Sequence, residues 1–379
     1  MIQRQRVVIV LPNLAGGGAE RVMVTLLRHL DRTRFEPVLL VIDYSGPYVS
    51  FIPADVQVVT LSAHRLRRAW LPLIRAINRL RPDILLSTMD YVNFAILAGK
   101  ILYRNQPKLI VREDNTPSRS IRALPPARRG IFRILYKFLY PQADQLIVQS
   151  EGMKADLLAF LPRLPQEKVI RIYNPIDFAL ILQQAERTEA ARFATAGKQI
   201  VAVGRLTHQK GFDLLLRAFR LVVVRFADAQ LTILGEGPLL HDLQQLAQSC
   251  GIAEQVTFAG FQENPHAWLA QADLFVLSSR WEGFPNVLLE ALACGCPVVA
   301  TDCPSGPREI LQQNVYGRLV EPDNVAELAS GMIDVLSGDR SFADGRKRAQ
   351  MYDAVQVTRS YEQLFDCLRF AQREEPDRV

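Results

Sequence analysis

The stretch VVIVLPNLAGGGAERVMVTLLRHL, residues 7–30, decides the fold. VVIVLP (7–12) is an apolar run of strand length. It feeds a loop holding Gly16, Gly17 and Gly18, and a helix-period segment follows. Strand, glycine turn and helix make the first unit of a doubly wound α/β sheet. The glycines let backbone approach a phosphate closely. The loop is not G-x-G-x-x-G and no Walker lysine follows, so a plain strand-to-helix connector reads equally well.

The same alternation runs along the whole chain. Strands are predicted at 36–42, 56–61, 83–88, 108–113, 145–150 and 169–175. DFALILQQAERTEAARFATAGK (177–198) lacks strand character and reads as a linker into a second domain. The pattern then restarts, with strands at 199–205, 229–237, 255–261, 273–279, 296–302 and 317–322. VTRSYEQLFDCLRFAQRE (357–374) has strong helix periodicity. The expected organisation is a Rossmann-like domain over 1–175, a second over 176–356, and a C-terminal helix over 357–379 that packs back towards the first. Two such domains face a central cleft, with ligands at the carboxyl ends of the strands.

Bulk properties agree. A chain of 379 residues that is 49% hydrophobic suits two cores. A net charge of +6 admits phosphates, nucleic acid or an anionic membrane without choosing among them. Five cysteines without framework spacing argue against a disulfide scaffold. Cys294, Cys296 and Cys303 resemble part of a metal site, but no histidine stands near to complete it. They read as buried small apolar residues. The N-terminal apolar run is too short for a signal peptide, and no run approaches 18 residues, so a cytoplasmic location is expected.

Two further stretches carry chemistry. In VGRLTHQKGFDLL (203–215) a strand ends at Gly204, and Arg205 and Lys210 follow within one loop. A planar fork and a point charge at a strand's end suit a diphosphate, although a solvated basic loop has the same composition. In RWEGFPNVLLEALACGCPVVAT (280–301), Glu282 precedes a helix and Glu290 lies about one turn inside it. Pro285 fits the first helical position, and Phe284 before it cannot cap. The amides around Asn286 and Val287 are then candidates for an anion, aided by the helix dipole. The two carboxylates suit paired hydroxyls of a hexose and a ribose.

EGFPNVLLEALACGCPVVAT resembles the E-x7-E signature of family 4 retaining glycosyltransferases, whose fold is the two-Rossmann GT-B type. NLAGGGAERV, VGRLTHQKG and the late SGPREIL resemble the same family, in the family's order and over nearly the whole chain. The resemblance implies transfer of a sugar, with retention, from a nucleotide donor, UDP being favoured. It implies that Arg205 and Lys210 hold the donor diphosphate. Glu290 would bind the ribose and Glu282 the donor sugar, with backbone at Gly283 and Phe284 assisting. Gly17 would approach the phosphates, and the turn near Gln262 would meet the base. No cofactor or metal is expected, since fixed cations can stabilise the leaving group and no D-x-D motif occurs. The chain departs from many relatives in VREDNTPSR (111–119), where no histidine follows the fifth strand. Glu113 is the candidate proton acceptor there. The competing reading is a structural acid paired with Arg112 or Arg119.

Residues 119–140 form a basic amphipathic segment. Arg128, Arg129, Arg133 and Lys137 interleave with Ile131, Phe132, Leu135, Phe138 and Leu139. Such a helix suits an anionic lipid surface or the acceptor's diphosphate, while a helix packed on its own domain explains the pattern too. RLRRAW (65–70) adds a second basic cluster. The expected partners are a nucleotide sugar, a glycan acceptor on a polyprenyl-diphosphate carrier, and the inner face of the cell membrane. Surface polysaccharide assembly is the expected setting. A nucleotide-sugar epimerase would lack the full motif set. A nucleic-acid module predicts salt-sensitive binding, and no nucleic-acid motif is present. A non-catalytic nucleotide-sugar sensor is separable only by an activity assay.

Overall fold

The computed structural model describes residues 4–61, 66–187, 193, 197–338 and 341–374. Arg65 and the side chains of Leu66, Arg67 and Arg68, in the second basic cluster, lie outside the described residues. The chain divides into two compact units, Met1–Pro175 with Ala354–Val379, and Ile176–Asp353.

The first unit carries β1 (Gln5–Leu11), β2 (Phe35–Val41), β3 (Gln57–Thr60), β4 (Ile84–Thr88), β5 (Lys108–Arg112), β6 (Gln145–Val148) and β7 (Val169–Arg171). Its sheet order is β3-β2-β1-β4-β5-β6-β7, and all pairs are parallel. A parallel sheet is covered on both faces, which is why these strands read as continuous apolar runs instead of alternating ones. The C-terminal helix Ala354–Glu374 belongs to this unit. Its Val357, Tyr361, Leu364 and Phe365 join the core formed by β1, β2 and the helix Gly18–His29. Glu362 accepts the Asp31 amide at 2.8 Å and pairs with Arg34 at 3.3 Å, which fixes the helix in register.

The second unit carries β8 (Gln199–Val203), β9 (Gln230–Leu234), β10 (Val256–Gly260), β11 (Leu274–Leu277), β12 (Val298–Thr301) and β13 (Arg318–Val320). The order is β10-β9-β8-β11-β12-β13, again parallel. Strand order reverses between β8 and β11, the place where doubly wound sheets bind ligands. The stretch read as a linker contains a helix, Phe178–Ala185, which packs on the helices Pro265–Gln271 and Asn286–Cys294. Its first turn is capped by Asp177, whose carboxylate accepts the Leu180 amide at 3.1 Å. Among the described residues, no helix is long and apolar enough to cross a membrane.

Candidate active site

Lys210 and Glu282 meet across the switch point of the second unit. Lys210 follows β8 and Glu282 follows β11, and Lys210 Nζ lies 2.6 Å from Glu282 Oε1. The same oxygen accepts Ser279 Oγ at 2.6 Å. Glu282 is buried and Lys210 nearly so, so the pair is poorly screened by solvent.

Backbone contacts hold the two loops together. Ser278 Oγ donates to the Lys210 carbonyl at 2.8 Å, and Arg280 N donates to the Gln209 carbonyl at 2.8 Å. Gln209 Nε2 returns a bond to the Trp281 carbonyl at 2.9 Å. Arg280 forks onto Asp213 at 2.8 and 2.7 Å, anchoring the loop after β11 to the helix after β8. Two glycines make this approach possible. Gly211 has φ +63°, and a Cβ there would meet the Ser278 carbonyl oxygen at 2.1 Å. A Cβ at Gly204 would meet the Lys210 side chain at 3.1 Å, so the lysine lies across a bare backbone. Arg205 is exposed at the start of the same loop.

A third loop, after β12, closes the Glu282 turn. Glu282 N donates to the Pro304 carbonyl at 2.7 Å, Ser305 N to the Glu282 carbonyl at 2.9 Å, and Ser305 Oγ to the Gly283 carbonyl at 3.1 Å. SGPREIL therefore acts by fixing the E-x7-E turn. Phe284 packs on Tyr352, with ring centroids 5.6 Å apart.

Pro285 stands one place earlier than expected. The helix runs Asn286–Cys294 with Pro285 at the N-cap, where it makes no side-chain cap bond. Asn286 and Val287 therefore open the helix, and Gly295 ends it in a left-handed conformation. Glu290 is buried within this helix, its Oε2 3.3 Å from His266 Nε2. His266 was not singled out from the sequence. Its signal is the Asn264-Pro265 pair, an N-cap and N1 signature that makes His266 the second helical residue. Gln262 is half-buried after β10 and donates to the Ala259 carbonyl at 2.7 Å, tightening that turn.

In the first unit, Gly17 is the N-cap of the helix Gly18–His29, and a Cβ there would meet Glu20 Oε2 at 2.4 Å. Glu113 is corrected by the structure. It is fully buried, its oxygens accepting the hydroxyls of Tyr136, at 2.8 Å, and of Tyr140. Burial, then the charges of Asp90 and Asp114, push its carboxyl well above the ordinary carboxylate range. A carboxyl sealed under two tyrosines does not reach an acceptor hydroxyl. Its partners are tyrosines, not the arginines weighed for it. Arg112 is buried and donates to Thr88 Oγ1 at 3.2 Å and to Asn174. Asp90, missed in the sequence, follows β4 at this unit's own switch point. Burial and the nearby Asp114 raise its carboxyl to about 6.

The helix Pro126–Leu139 presents Arg128, Arg133 and Lys137 to solvent. Arg129 is committed to backbone, donating to the carbonyls of Arg122 at 2.8 Å and Leu124 at 3.2 Å. The apolar residues divide differently from expectation. Phe132, Leu135 and Leu139 pack against the domain core. The exposed stripe is Ile131, Ile134 and Phe138, at 57%, 58% and 63% exposure. Cys294, Cys296 and Cys303 are buried, and burial raises all three thiols, Cys294 to about 12. Among the described residues, no group of His, Cys, Asp and Glu is arranged to hold a metal ion.

Comparisons with known proteins bear on both units. The family model Glycosyltransferase Family 4 matches residues 16–180, and Glycosyl transferases group 1 matches residues 183–355. The chain is 31% identical over 375 residues to the N-acetylgalactosamine-N,N'-diacetylbacillosaminyl-diphospho-undecaprenol 4-alpha-N-acetylgalactosaminyltransferase of Campylobacter jejuni. That match covers 94% of this chain and 98% of the relative. Among solved structures, Anabaena HepE in complex with UDP-glucose superposes with a TM-score of 0.76 at 18% identity, covering 96% of this chain and all of that one. The sucrose-phosphate synthase of Thermosynechococcus elongatus gives a TM-score of 0.82 at 17% identity, covering 97% of this chain and 100% of that one. At such identities the structural matches speak for the fold alone.

Proposed function

This chain belongs to glycosyltransferase family 4, and we propose that it transfers a sugar from a UDP-linked donor, with retention, to a polyprenyl-diphosphate-linked glycan. The observation that carries the reading is the Lys210–Glu282 pair at the switch point of the second unit. A lysine and a carboxylate 2.6 Å apart can serve two ends of one ligand, the diphosphate and the sugar hydroxyls. Arg205, in the same loop, adds a second cation. Together they offset the charge that develops when the bond from the anomeric carbon to the diphosphate breaks, which needs no metal. Glu290 takes the ribose hydroxyls, and Gln262 lies in the turn that meets the base. Retention brings the acceptor hydroxyl to the face from which the diphosphate departs. The leaving oxygen is then the base nearest the acceptor's proton, in place of the sealed Glu113.

The acceptor reading is supported by the Campylobacter relative, whose name specifies a diphospho-undecaprenol-linked acceptor, and assembly of a surface glycan at the inner face of the membrane is part of the same proposal. The test is product analysis. Purified protein is offered UDP- and GDP-sugars with a polyprenyl-diphosphate-linked glycan. The expected product carries one added residue, in the donor's anomeric configuration. Inversion at that carbon, or turnover only with a GDP-sugar, contradicts the reading.

The membrane contact is assigned to the exposed stripe Ile131, Ile134 and Phe138, flanked by Arg128, Arg133 and Lys137. Apolar residues three and four positions apart share one helix face, and cations beside them meet anionic headgroups. Replacing the three apolar residues by serine, or the three cations by glutamine, is expected to reduce cosedimentation with phosphatidylglycerol vesicles by fivefold or more, on the order of 1 kcal/mol. Undiminished binding in both variants removes the membrane assignment.

A further inference from the structure

One guanidinium gathers three loops of the second unit. Arg280 follows β11, and its side chain is 13% exposed. Nη1 and Nη2 fork onto Asp213, in the first turn of the helix Phe212–Arg225, at 2.8 and 2.7 Å. Nη1 also donates to the His208 carbonyl at 2.9 Å, and Nε donates to Asp323 Oδ1, after β13, at 2.9 Å. Lys210 therefore stands between two attachments of one side chain, after His208 and before Asp213.

The turn bracketed in this way has little to hold it from within. His208–Lys210 is a single 3-10 turn, a conformation with poor hydrogen-bond geometry and a costly start. Each of its carbonyls meets a donor from the loop after β11. His208 accepts Arg280 Nη1 at 2.9 Å, Gln209 accepts the Arg280 amide at 2.8 Å, and Lys210 accepts the Ser278 hydroxyl at 2.8 Å. The His208 carbonyl takes the Gly211 amide as well, at 3.3 Å, so Arg280 fills its second lone pair. The Arg280 amide and the Ser278 hydroxyl secure the last two carbonyls whatever side chain stands at 280. What the guanidinium adds is the first carbonyl and the link onward to Asp213. Its nitrogens Nε, Nη1 and Nη2 are all engaged in these bonds, and two carboxylates offset its charge, so it is poorly placed to bind a phosphate itself.

We propose that Arg280 is a positioning residue for Lys210: by tying the His208 carbonyl to Asp213, it holds the backbone turn that aims the ammonium at the donor diphosphate. The inference rests on the reading of Lys210 as the cation of that diphosphate. Glu282 holds the far end of the lysine, at Nζ, and Arg280 helps to hold its backbone. A lysine on a loosened turn must lose conformational freedom to meet the phosphates, and binding weakens accordingly.

The test is a double-mutant cycle on nucleotide affinity. It is measured by calorimetry with UDP and with GDP and read on whichever binds tighter. Lys210→Ala is expected to weaken binding on the order of tenfold, the worth of one hydrogen bond to a charged group. Arg280→Gln is expected to weaken it about threefold to tenfold when Lys210 is present, and by less than about twofold when position 210 is already alanine. A residue that only stabilises the unit would act equally in both backgrounds. Equal losses overturn the proposal, and so does wild-type affinity in Arg280→Gln. Asp213→Asn is the milder change, keeping the shape of the fork's partner. It is expected to show the same dependence on Lys210 and serves if Arg280→Gln does not fold. Failure of the underlying reading looks different. In that case Lys210→Ala itself leaves affinity unaltered, or the wild-type protein binds neither nucleotide, and the lysine is removed from the diphosphate site together with the role of Arg280.

Discussion

Lys210→Ala is expected to lower kcat about 100- to 1,000-fold, the range for removing one preorganised group that meets developing charge. The lysine is already in place before any donor arrives. Its Nζ is held by Glu282 at 2.6 Å, its carbonyl by Ser278 at 2.8 Å, and its stem lies across Gly204. Little reorganisation accompanies the reaction, so the charge acts at nearly full strength in a buried setting. The fold is expected to survive. Glu282 is left buried without its cation but keeps the Ser279 hydroxyl at 2.6 Å, so the melting temperature is expected to fall by several degrees without loss of the fold. Lys210→Arg is expected to recover little, because the planar fork needs more room than the point charge has against Gly204 and Glu282. Initial rates with saturating donor check this. Turnover within tenfold of wild type in Lys210→Ala would remove the lysine from the chemistry.

The second large effect is on stability. Glu113→Ala is expected to cost about 2–4 kcal/mol, the sum of a cavity and of two tyrosine hydroxyls that lose their shared acceptor. For a unit of this size that lowers its melting temperature by roughly 5–15 °C. Glu113→Gln is expected to be nearly neutral at acidic pH, since an amide fills the same space and meets both hydroxyls. The pH dependence has a definite sign. The folded carboxyl binds its proton more tightly than the unfolded one, so its contribution is full below the ordinary carboxylate range. That contribution is lost as pH rises through the raised folded value. Glu113→Gln does not titrate and should overtake wild type in stability on the alkaline side. Denaturant melts of the three proteins between pH 4 and 9 read this out. A wild-type protein that gains on Glu113→Gln as pH rises would show that Glu113 is stabilised as an anion.

Much of the fold was legible because parallel strands buried on both faces leave uninterrupted apolar runs. QLIVQS and DLFVLSS needed no partner to be recognised, and their strands fall at Gln145–Val148 and Leu274–Leu277. The Lys210 loop and the Glu282 turn were legible through local spacing. What escaped depends on distant neighbours. Glu113 is governed by tyrosines 23 and 27 residues away, and nothing in VREDN announces them. His266 lies beside Glu290, on the next helix but one strand removed, and beside Gln184, in a stretch that looked like a linker. Helix periodicity identified Pro126–Leu139 as amphipathic but did not tell which apolar residues face the core. Phe132 and Leu135 do, while Ile134, left out of the expected stripe, is exposed. The shift of Pro285 from first turn to N-cap is of the same kind, since the loop after β12 fixes where that helix starts.

A crystal structure of the full chain with UDP tests the central claim most directly. The diphosphate is expected within about 3 Å of Lys210 Nζ, with the ribose hydroxyls on the Glu290 carboxylate. A nucleotide bound with its phosphates remote from Lys210, or its ribose away from Glu290, would contradict it.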